Sequence, residues 1–368
     1  MINTEALLIP NIAPRVGSLE SGAMDNICDI DGITVGHFTL HEDKPHCIRS
    51  GVTVINPNKD KNLFIDKIPA AVSVINGFGK SYGLIQLEEL GTIETPIALT
   101  NTFSVPIVAQ AQIKRAIEIN SEIGRSLPTV NSLVLECNDG FLNDIQALAI
   151  NEEHYLKALS NCKTHIEQGA VGAGHGMKCF GFKGGIGSAS RISAGLHKYT
   201  VGALVLSNFG ALPNLRIAGL ELGKKFVSHN VRGSEEAIIH DSHDKGSIII
   251  IIATDAPLDS RQLKRLSLRA AAGLARTGSN FGHGSGDICV AFSNAYSLKQ
   301  SDSMDMNESI ATVNEGQINY LFDAAAEATE QAIINSLWFA KSTKGRDGNE
   351  CRNLHEVIME NSSILGLL

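Results

Sequence analysis

Aromatic residues are scarce in this chain. They make up 5% of its 368 residues, with one Trp, so a core has to be built from Ile, Leu, Val and Ala. Blocks of Lys and Arg are also absent, as is any RNA-type aromatic motif, and the net charge is −8. Nucleic acid is therefore excluded as a partner. No uninterrupted apolar run reaches membrane-spanning length, so no membrane partner is expected. The start, Met1 to Leu7, carries Glu5 and lacks a basic stretch followed by an apolar one, unlike a secretory signal. The seven cysteines are odd in number and scattered, with no Cys-x-x-Cys pair. That argues against a disulfide framework or a structural zinc site, and for reduced thiols in a cytoplasm. Linkers rich in Pro and Ser, low-complexity tracts and internal repeats are missing as well, so residues 1–368 are expected to form one domain.

What remains is a globular composition. Hydrophobic residues make up 43% and the mean hydropathy is +0.04, enough for a sizeable core in a chain of this length. Strands are expected at 32–36, 51–55, 70–75, 97–100, 132–135, 201–206, 247–253 and 288–292, each bounded by Gly, Asn or Asp. A helix with Ser104 as N-cap and Pro106 at its second position runs through Ile117. A second follows Pro257, capped by Asp259 or Ser260, carries Leu263, Leu266, Ala270 and Leu274 on one face, and ends before Gly278. The longest covers about 315–340. Many strands with a few long helices predict an α/β fold of layered sheets covered by helices.

The most informative point is Gly246-Ser247, followed at once by the apolar run Ile248–Ala253. A small flexible residue precedes a hydroxyl residue, which opens a buried strand. If the Gly246–Ser247 bond is cut, Ser247 becomes a chain terminus. It then carries a nucleophilic hydroxyl and, in its own α-amine, a base with an ordinary pKa of roughly 8. Gly246 suits such a cut because it tolerates backbone angles that expose a carbonyl to the next side chain. The polar stretch His229–Lys245 is expected to be an exposed loop leading to it. On its own, without other support for the cut, Gly-Ser before a strand reads as a turn.

Other motifs narrow the choice. Gly77-Phe78-Gly79-Lys80-Ser81 ends like a phosphate-binding loop, but Val74 stands where the first glycine is required. Gly172-Ala173-Gly174-His175-Gly176 has the wrong spacing for a dinucleotide fingerprint. With Gly181–Gly187 it forms either tight turns between strands or backbone lining a pocket. Ser285 and Asp287, at the start of a strand, are expected to need a turn at Gly286 to reach one site. Glu136 to Asp144 gathers polar side chains where a loop leaves a sheet, which suits turn chemistry better than a metal. Asn208 ends another strand, where its amide could meet a developing oxyanion. Cys137 and Cys289 fall near these segments and fit buried small hydrophobes.

Taken together these segments resemble the P1 family of N-terminal-serine aminopeptidases (peptidase family S58), which includes the L-aminopeptidase/D-esterase and the β-peptidyl aminopeptidases. The likeness runs from Asp31–His37 and Ser50–Ile55 through Thr100–Thr102, Asp139–Asp144, Gly169–Gly174 and Phe182–Gly187. It continues through Ser247–Leu258 and Gly273–Arg276 to Gly284–Asp287. It implies a four-layer αββα sandwich, layered like N-terminal-nucleophile hydrolases but connected differently. It also implies self-cleavage into 1–246 and 247–368, with the two chains staying associated, and a homo-oligomer of such units.

By the same resemblance Ser247 is the nucleophile and Asn208 stabilises the oxyanion. Ser285 and Asp287 hydrogen-bond around the nucleophile and its amine, and Glu136 holds the free ammonium of a peptide, aminoacyl amide or ester. No metal or organic cofactor is implied. Two departures bear on substrate choice: Pro106 stands where the family commonly has Gly, and Asn138 where relatives can carry an aromatic residue. The alternatives are an acyltransferase of the ornithine acetyltransferase type, which shares fold and self-cleavage, and an uncleaved small-molecule-binding protein.

Overall fold

The structure, a computed structural model, describes residues 4–234, 245–300 and 309–367. Its main strands are β1 (Thr34–Glu42), β2 (Ile48–Asn56), β3 (Asp66–Gly77), β4 (Ile97–Asn101), β5 (Leu133–Cys137), β6 (Gly185–Ile192), β7 (Thr200–Asn208), β8 (Lys245–Thr254) and β9 (Gly284–Ser293). The helices that cover them are α1 (Val105–Ile119), α2 (Glu152–Ser160), α3 (Ser260–Ser267), α4 (Ala270–Arg276) and α5 (Ile318–Trp338). One sheet has the order β1-β2-β4-β5, and the other β3-β9-β8-β7-β6 with a short strand, Leu298–Lys299, outside β3. Within the second sheet β8 and β9 are parallel, and β7 runs antiparallel to β8.

Three apolar layers hold this together. Leu204, Leu206, Ile249, Ile251 and Val290 meet Val35, Ile55, Leu99 and Leu135 between the sheets. Ile248, Ile250 and Ile252 face the other way, onto Leu263, Leu266, Leu274, Ala325 and Ala332 of α3 to α5. Val52, Val54, Ala98 and Val134 meet Val108, Ala111, Tyr155 and Ala158 of α1 and α2. The arrangement is helix, sheet, sheet, helix: the αββα sandwich. Successive side chains of a strand point to opposite faces, so a strand covered on both sides must be apolar throughout. That accounts for the unbroken run Ile248–Ile252. Each fully buried Ile contributes roughly 1.5–3 kcal/mol.

Several expectations change at the local level. The glycine-rich stretch read as turns or pocket lining contains β6, a buried strand at the edge of the second sheet. Its glycines allow close approach: a Cβ on Gly187 would lie 1.9 Å from the carbonyl oxygen of Ala332 in α5. The apolar pattern Leu263 to Leu274 spans two helices, with Leu268 and Arg269 between them. Both pieces bury the same side, so periodicity alone does not register the break. Asp259 is the N-cap of α3, in a capping box with Gln262. Ser104 makes no side-chain cap. Asn101 instead accepts from the amides of Phe103 and Ser104 in the turn leading into α1, where Pro106 takes the second position.

Ser285 and Asp287 need no turn at Gly286. They lie in β9, where residues two apart share a face. Most of the expected loop before Ser247, residues 235–244, lies outside the described residues. Lys245 and Gly246 already belong to β8, so the Gly246–Ser247 peptide sits in a paired strand and not at the end of a loop.

Candidate active site

The site is built where β7, β8 and β9 lie side by side. Ser247 pairs with Asn208 on one side and with Gly286 on the other. It is 7% exposed. Its hydroxyl donates to the carbonyl oxygen of Gly246 at 2.7 Å and accepts from the amide of Gly286 at 3.2 Å. The side chain is therefore folded back onto the peptide that precedes it. Gly246 makes this possible: its φ is +123°, and a Cβ there would lie 2.0 Å from the carbonyl oxygen of Asn208. Only glycine combines such angles with so close a neighbour.

Ser285 and Asp287 flank Gly286, the register partner of Ser247. Both are fully buried, and the Ser285 hydroxyl donates to Asp287 Oδ1 at 2.7 Å. On the other side, Asn208 is oriented by two bonds. Its Oδ1 accepts from the Lys178 amide at 2.9 Å, and its Nδ2 donates to the Asn138 carbonyl at 3.0 Å. These fix which way the side-chain amide faces. The turn carrying Lys178 is held in its turn by Lys183, whose buried ammonium donates to the carbonyls of Gly174, Met177 and Gly184 at 2.9, 2.8 and 2.7 Å. Burial pulls the pKa of Lys183 down to about 7.

Glu136 is the penultimate residue of β5 and is 3% exposed. Its Oε1 accepts from the Lys80 amide at 2.8 Å and its Oε2 from the Thr102 hydroxyl. Among the described residues no cationic side chain pairs with it. A buried carboxylate with hydrogen bonds but no counter-charge is a place for a cation. The Gly77–Ser81 segment, which fails as a phosphate loop, lies between Glu136 and the β8–β9 strand ends that carry Ser247 and Gly286. A Cβ on Gly79 would lie 3.6 Å from Glu136 Oε1, and a Cβ on Gly286 2.6 Å from the Phe78 carbonyl.

All five candidate side chains thus gather around one strand end. Five further contributors were not singled out from the sequence: the amides of Gly286, Lys80 and Lys178, the Asn138 carbonyl and the Thr102 hydroxyl. Four of these act through the backbone, which leaves no side-chain signature. Asn138 and Pro106, the two departures, differ in position. The first supports Asn208, whereas the second lies on α1 next to the turn carrying Thr102.

A cavity of about 460 Å³ opens here, lined by Asn138, Phe141, Lys178, Asn208, Gly246 and Arg346 among others. A larger one of about 810 Å³, between His41, Arg49, His175 and Lys344, includes none of the five candidates. The smaller is the candidate active-site cavity because Asn208 and Gly246, the residues on either side of the Ser247 register, border it. Cys137 and Cys289 are fully buried, and burial raises both thiol pKa values, so neither supplies a nucleophile. Asp139 and Asn143 bond to each other in a turn, and no cluster of three metal-ligating side chains exists among the described residues.

The model of peptidase family S58 matches residues 25–351. The chain belongs to peptidase family S58. Over 347 residues it is 37% identical to the β-peptidyl aminopeptidase BapA of Sphingosinicella microcystinivorans, covering 90% of this chain and 86% of that protein. Among solved structures it is similar to the PH0078 protein of Pyrococcus horikoshii, at 45% identity and a TM-score of 0.87 over 96% of this chain and 97% of the other. The L-aminopeptidase D-Ala-esterase/amidase of Ochrobactrum anthropi, described as a variant of the Ntn hydrolase fold, is 30% identical with a TM-score of 0.85, covering 99% of this chain and all of the other. As a member of S58, this chain is a hydrolase of the serine aminopeptidase and amidase class. Among the described residues no helix is long and apolar enough to cross a membrane.

Proposed function

We propose that the chain is made as a precursor, cuts itself between Gly246 and Ser247, and then releases N-terminal amino acids from short peptides, aminoacyl amides or esters. The observation that carries this reading is the Ser247 hydroxyl, held by the Gly286 amide against the carbonyl of the peptide to be cut. In maturation Ser247 Oγ bonds to the Gly246 carbonyl carbon. The Gly246–Ser247 C–N bond then breaks, its nitrogen becomes the α-amine of Ser247, and water hydrolyses the ester. Chains 1–246 and 247–368 stay together because β7 comes from the first and β8 and β9 from the second, within one sheet.

In turnover Ser247 Oγ attacks the substrate carbonyl while its α-amine takes the proton and passes it to the leaving amine. Water then releases the acyl group, with the α-amine again as base. The second N–H of the Asn208 amide meets the oxyanion, a role whose loss typically costs on the order of 100–1000-fold in rate. Ser285 and Asp287 hold the new α-amine, and Glu136 holds the ammonium of the substrate. The name of the Sphingosinicella relative supports β-amino acids as acyl groups, and that of the Ochrobactrum relative supports α-amino acids. The exposed side chains of Phe78, Tyr82, Ile85 and Phe103 support a homo-oligomer of cleaved units, and seven free thiols support a cytoplasmic location.

Gel electrophoresis tests the proposal. Splitting 39.3 kDa in the ratio 246:122 predicts chains of about 26 and about 13 kDa, the smaller beginning Ser-Ile-Ile-Ile. Ser247→Ala should remain one chain and hydrolyse nothing. Normal maturation of Ser247→Ala would show that another protease makes the cut.

A further inference from the structure

A charged group at 0% exposure is costly to keep, and Lys183 is one. Its Nζ donates to the carbonyls of Gly174, Met177 and Gly184. Three acceptors call for three N–H donors, which a lysine has only as the ammonium. Its place is fixed on the backbone as well. Lys183 pairs in register with Lys178 across a short antiparallel ladder, and its own amide donates to the Arg352 carbonyl at 2.8 Å. The turn it holds already has backbone bonds. The Gly174 carbonyl accepts from the Met177 amide at 3.3 Å, and the Met177 carbonyl from the Gly184 amide at 3.0 Å. Holding the turn does not by itself require a buried charge.

What the charge reaches is decided by one peptide. The Met177 carbonyl and the Lys178 N–H belong to the same peptide unit. The carbonyl accepts from the Lys183 ammonium at 2.8 Å, and the N–H donates to Asn208 Oδ1 at 2.9 Å. Asn208 Oδ1 and Nδ2 belong in turn to one side-chain amide. Its Nδ2 donates to the Asn138 carbonyl at 3.0 Å and has a second N–H left. The path from the charge to that N–H therefore runs through two conjugated amides. In such a chain each hydrogen bond polarises the next, by roughly 10–30% per bond. A cation on the Met177 carbonyl makes the Lys178 N–H a stronger donor, and that makes Asn208 Nδ2 a stronger donor. We infer that Lys183 is a positioning residue of the oxyanion site: it fixes the 177–178 peptide against Asn208 and passes its positive charge through two amides to the N–H that meets the oxyanion. The inference rests on the reading of Asn208 as the oxyanion donor. It gives the buried charge a task, since this help is greatest when negative charge develops on the substrate oxygen.

The test uses the mature two-chain enzyme, Lys183→Met and Lys183→Gln, with alanyl and β-alanyl p-nitroanilides. Rates are compared at about pH 6.5, below the value of about 7 to which burial lowers Lys183. Met removes the charge and all three bonds, whereas Gln removes the charge and keeps two N–H donors. The expected fall in kcat is about tenfold for Lys183→Met and about threefold for Lys183→Gln, part of the roughly 100–1000-fold typical of an oxyanion donor, with KM within about twofold of the wild type. The second readout is a pair of inhibitors built on the accepted acyl skeleton. An aminoalkylboronic acid bonds through boron to Ser247 Oγ and forms a tetrahedral anion, and the matching amino alcohol offers the ammonium alone. Both variants should weaken the boronic acid by a factor similar to the fall in kcat and leave the amino alcohol unchanged. Equal weakening of both inhibitors, unchanged kcat and boronic acid binding, or failure of both variants to mature into two chains would overturn the role of Lys183 and leave the aminopeptidase reading standing. A wild type that binds the boronic acid no more tightly than the amino alcohol would overturn the oxyanion reading of Asn208, and this inference with it.

Discussion

Gly246→Ala is the most revealing single change, because the structure separates its effect from general damage. At φ = +123° a non-glycine residue is strained by roughly 1–3 kcal/mol. Its Cβ would also lie 2.0 Å from the Asn208 carbonyl oxygen and 3.1 Å from the Cα of Phe209, so the end of β8 must move away from β7. Overpacking of this kind typically costs about 1–3 kcal/mol. The displaced groups are the ones the proposed chemistry uses: the Gly246 carbonyl, the Ser247 hydroxyl on it and the Asn208 amide across the register. If only about 2 kcal/mol of this falls on the cleavage step, maturation slows by about 30-fold, at 1.36 kcal/mol per decade. Gly284, on the neighbouring strand, is the control. A Cβ there meets nothing within 4 Å. Gly284→Ala should mature at the wild-type rate, and Gly246→Ala should accumulate as an intact 39.3 kDa chain. The assay is a time course of chain ratio on gels, with thermal unfolding of both variants. Equal maturation of the two would refute the argument that the glycine conformation presents this bond to Ser247.

Other expectations can be checked alongside. Glu136→Gln should lower kcat/KM by about one to two decades, since a charge-assisted bond is worth about 1.5–3 kcal/mol, while leaving self-cleavage intact. In the wild type N-acetylated substrates should be poor, and equal rates for free-amine and N-acetyl forms would remove the ammonium role. Gly187→Ala should destabilise the whole fold by several kcal/mol, because its Cβ would strike the Ala332 carbonyl of α5 at 1.9 Å; wild-type denaturant midpoints would contradict this. Asp139 is fully buried, and burial raises its carboxyl from 3.8 to about 6 against the hydrogen bonds of Ser50, Asn143 and Asn101. A raised carboxyl binds its proton more tightly folded than unfolded, so its contribution is present below about pH 4 and is lost as pH rises through about 6. The loss is about 3 kcal/mol at 1.36 kcal/mol per pH unit. Asp139→Asn should flatten the stability curve in that window, and an unchanged slope would show that Asp139 does not titrate there.

The strand pattern was largely legible because most strands are apolar on one or both faces. Ile248–Ile252 announces a doubly covered strand by composition alone. β6 was hidden because its role demands the opposite composition: Gly185 and Gly187 stand where another backbone comes within a van der Waals radius of a missing Cβ. Glycine in a sequence reads the same whether it allows a turn or a contact. The candidate site shows a similar division. Ser247, Asn208, Ser285, Asp287 and Glu136 were named from their side chains, and the structure gathers them. The amides of Lys80, Lys178 and Gly286 and the carbonyl of Asn138 could not be named, since every residue but proline has both groups. For the Ser285–Asp287 pair the pleat, not a turn at Gly286, puts both side chains on one face.

The placement of Ser247 suits the two reactions proposed for its one hydroxyl. A self-cleaving peptide needs a distorted, accessible carbonyl, and a recurring catalyst needs rigid partners. These demands conflict if both fall on a loop. Here the distortion is confined to Gly246, one residue outside Ser247, while Ser247 itself is fixed by pairing to β7 and β9 on a strand whose next five residues are buried isoleucines. Cutting the bond removes the strained residue from the chain that bears the nucleophile and leaves the pairing of Ser247 with Asn208 and Gly286 available. In the proposed maturation the amide nitrogen of the precursor becomes the base, with the Ser285–Asp287 pair on the adjacent strand to hold it. On this argument maturation needs no large rearrangement of the sheet, so uncleaved Ser247→Ala and mature enzyme should share the same positions for β7, β8 and β9. Crystal structures of the two would decide it, and a shift of β8 against β9 by a residue would overturn the argument.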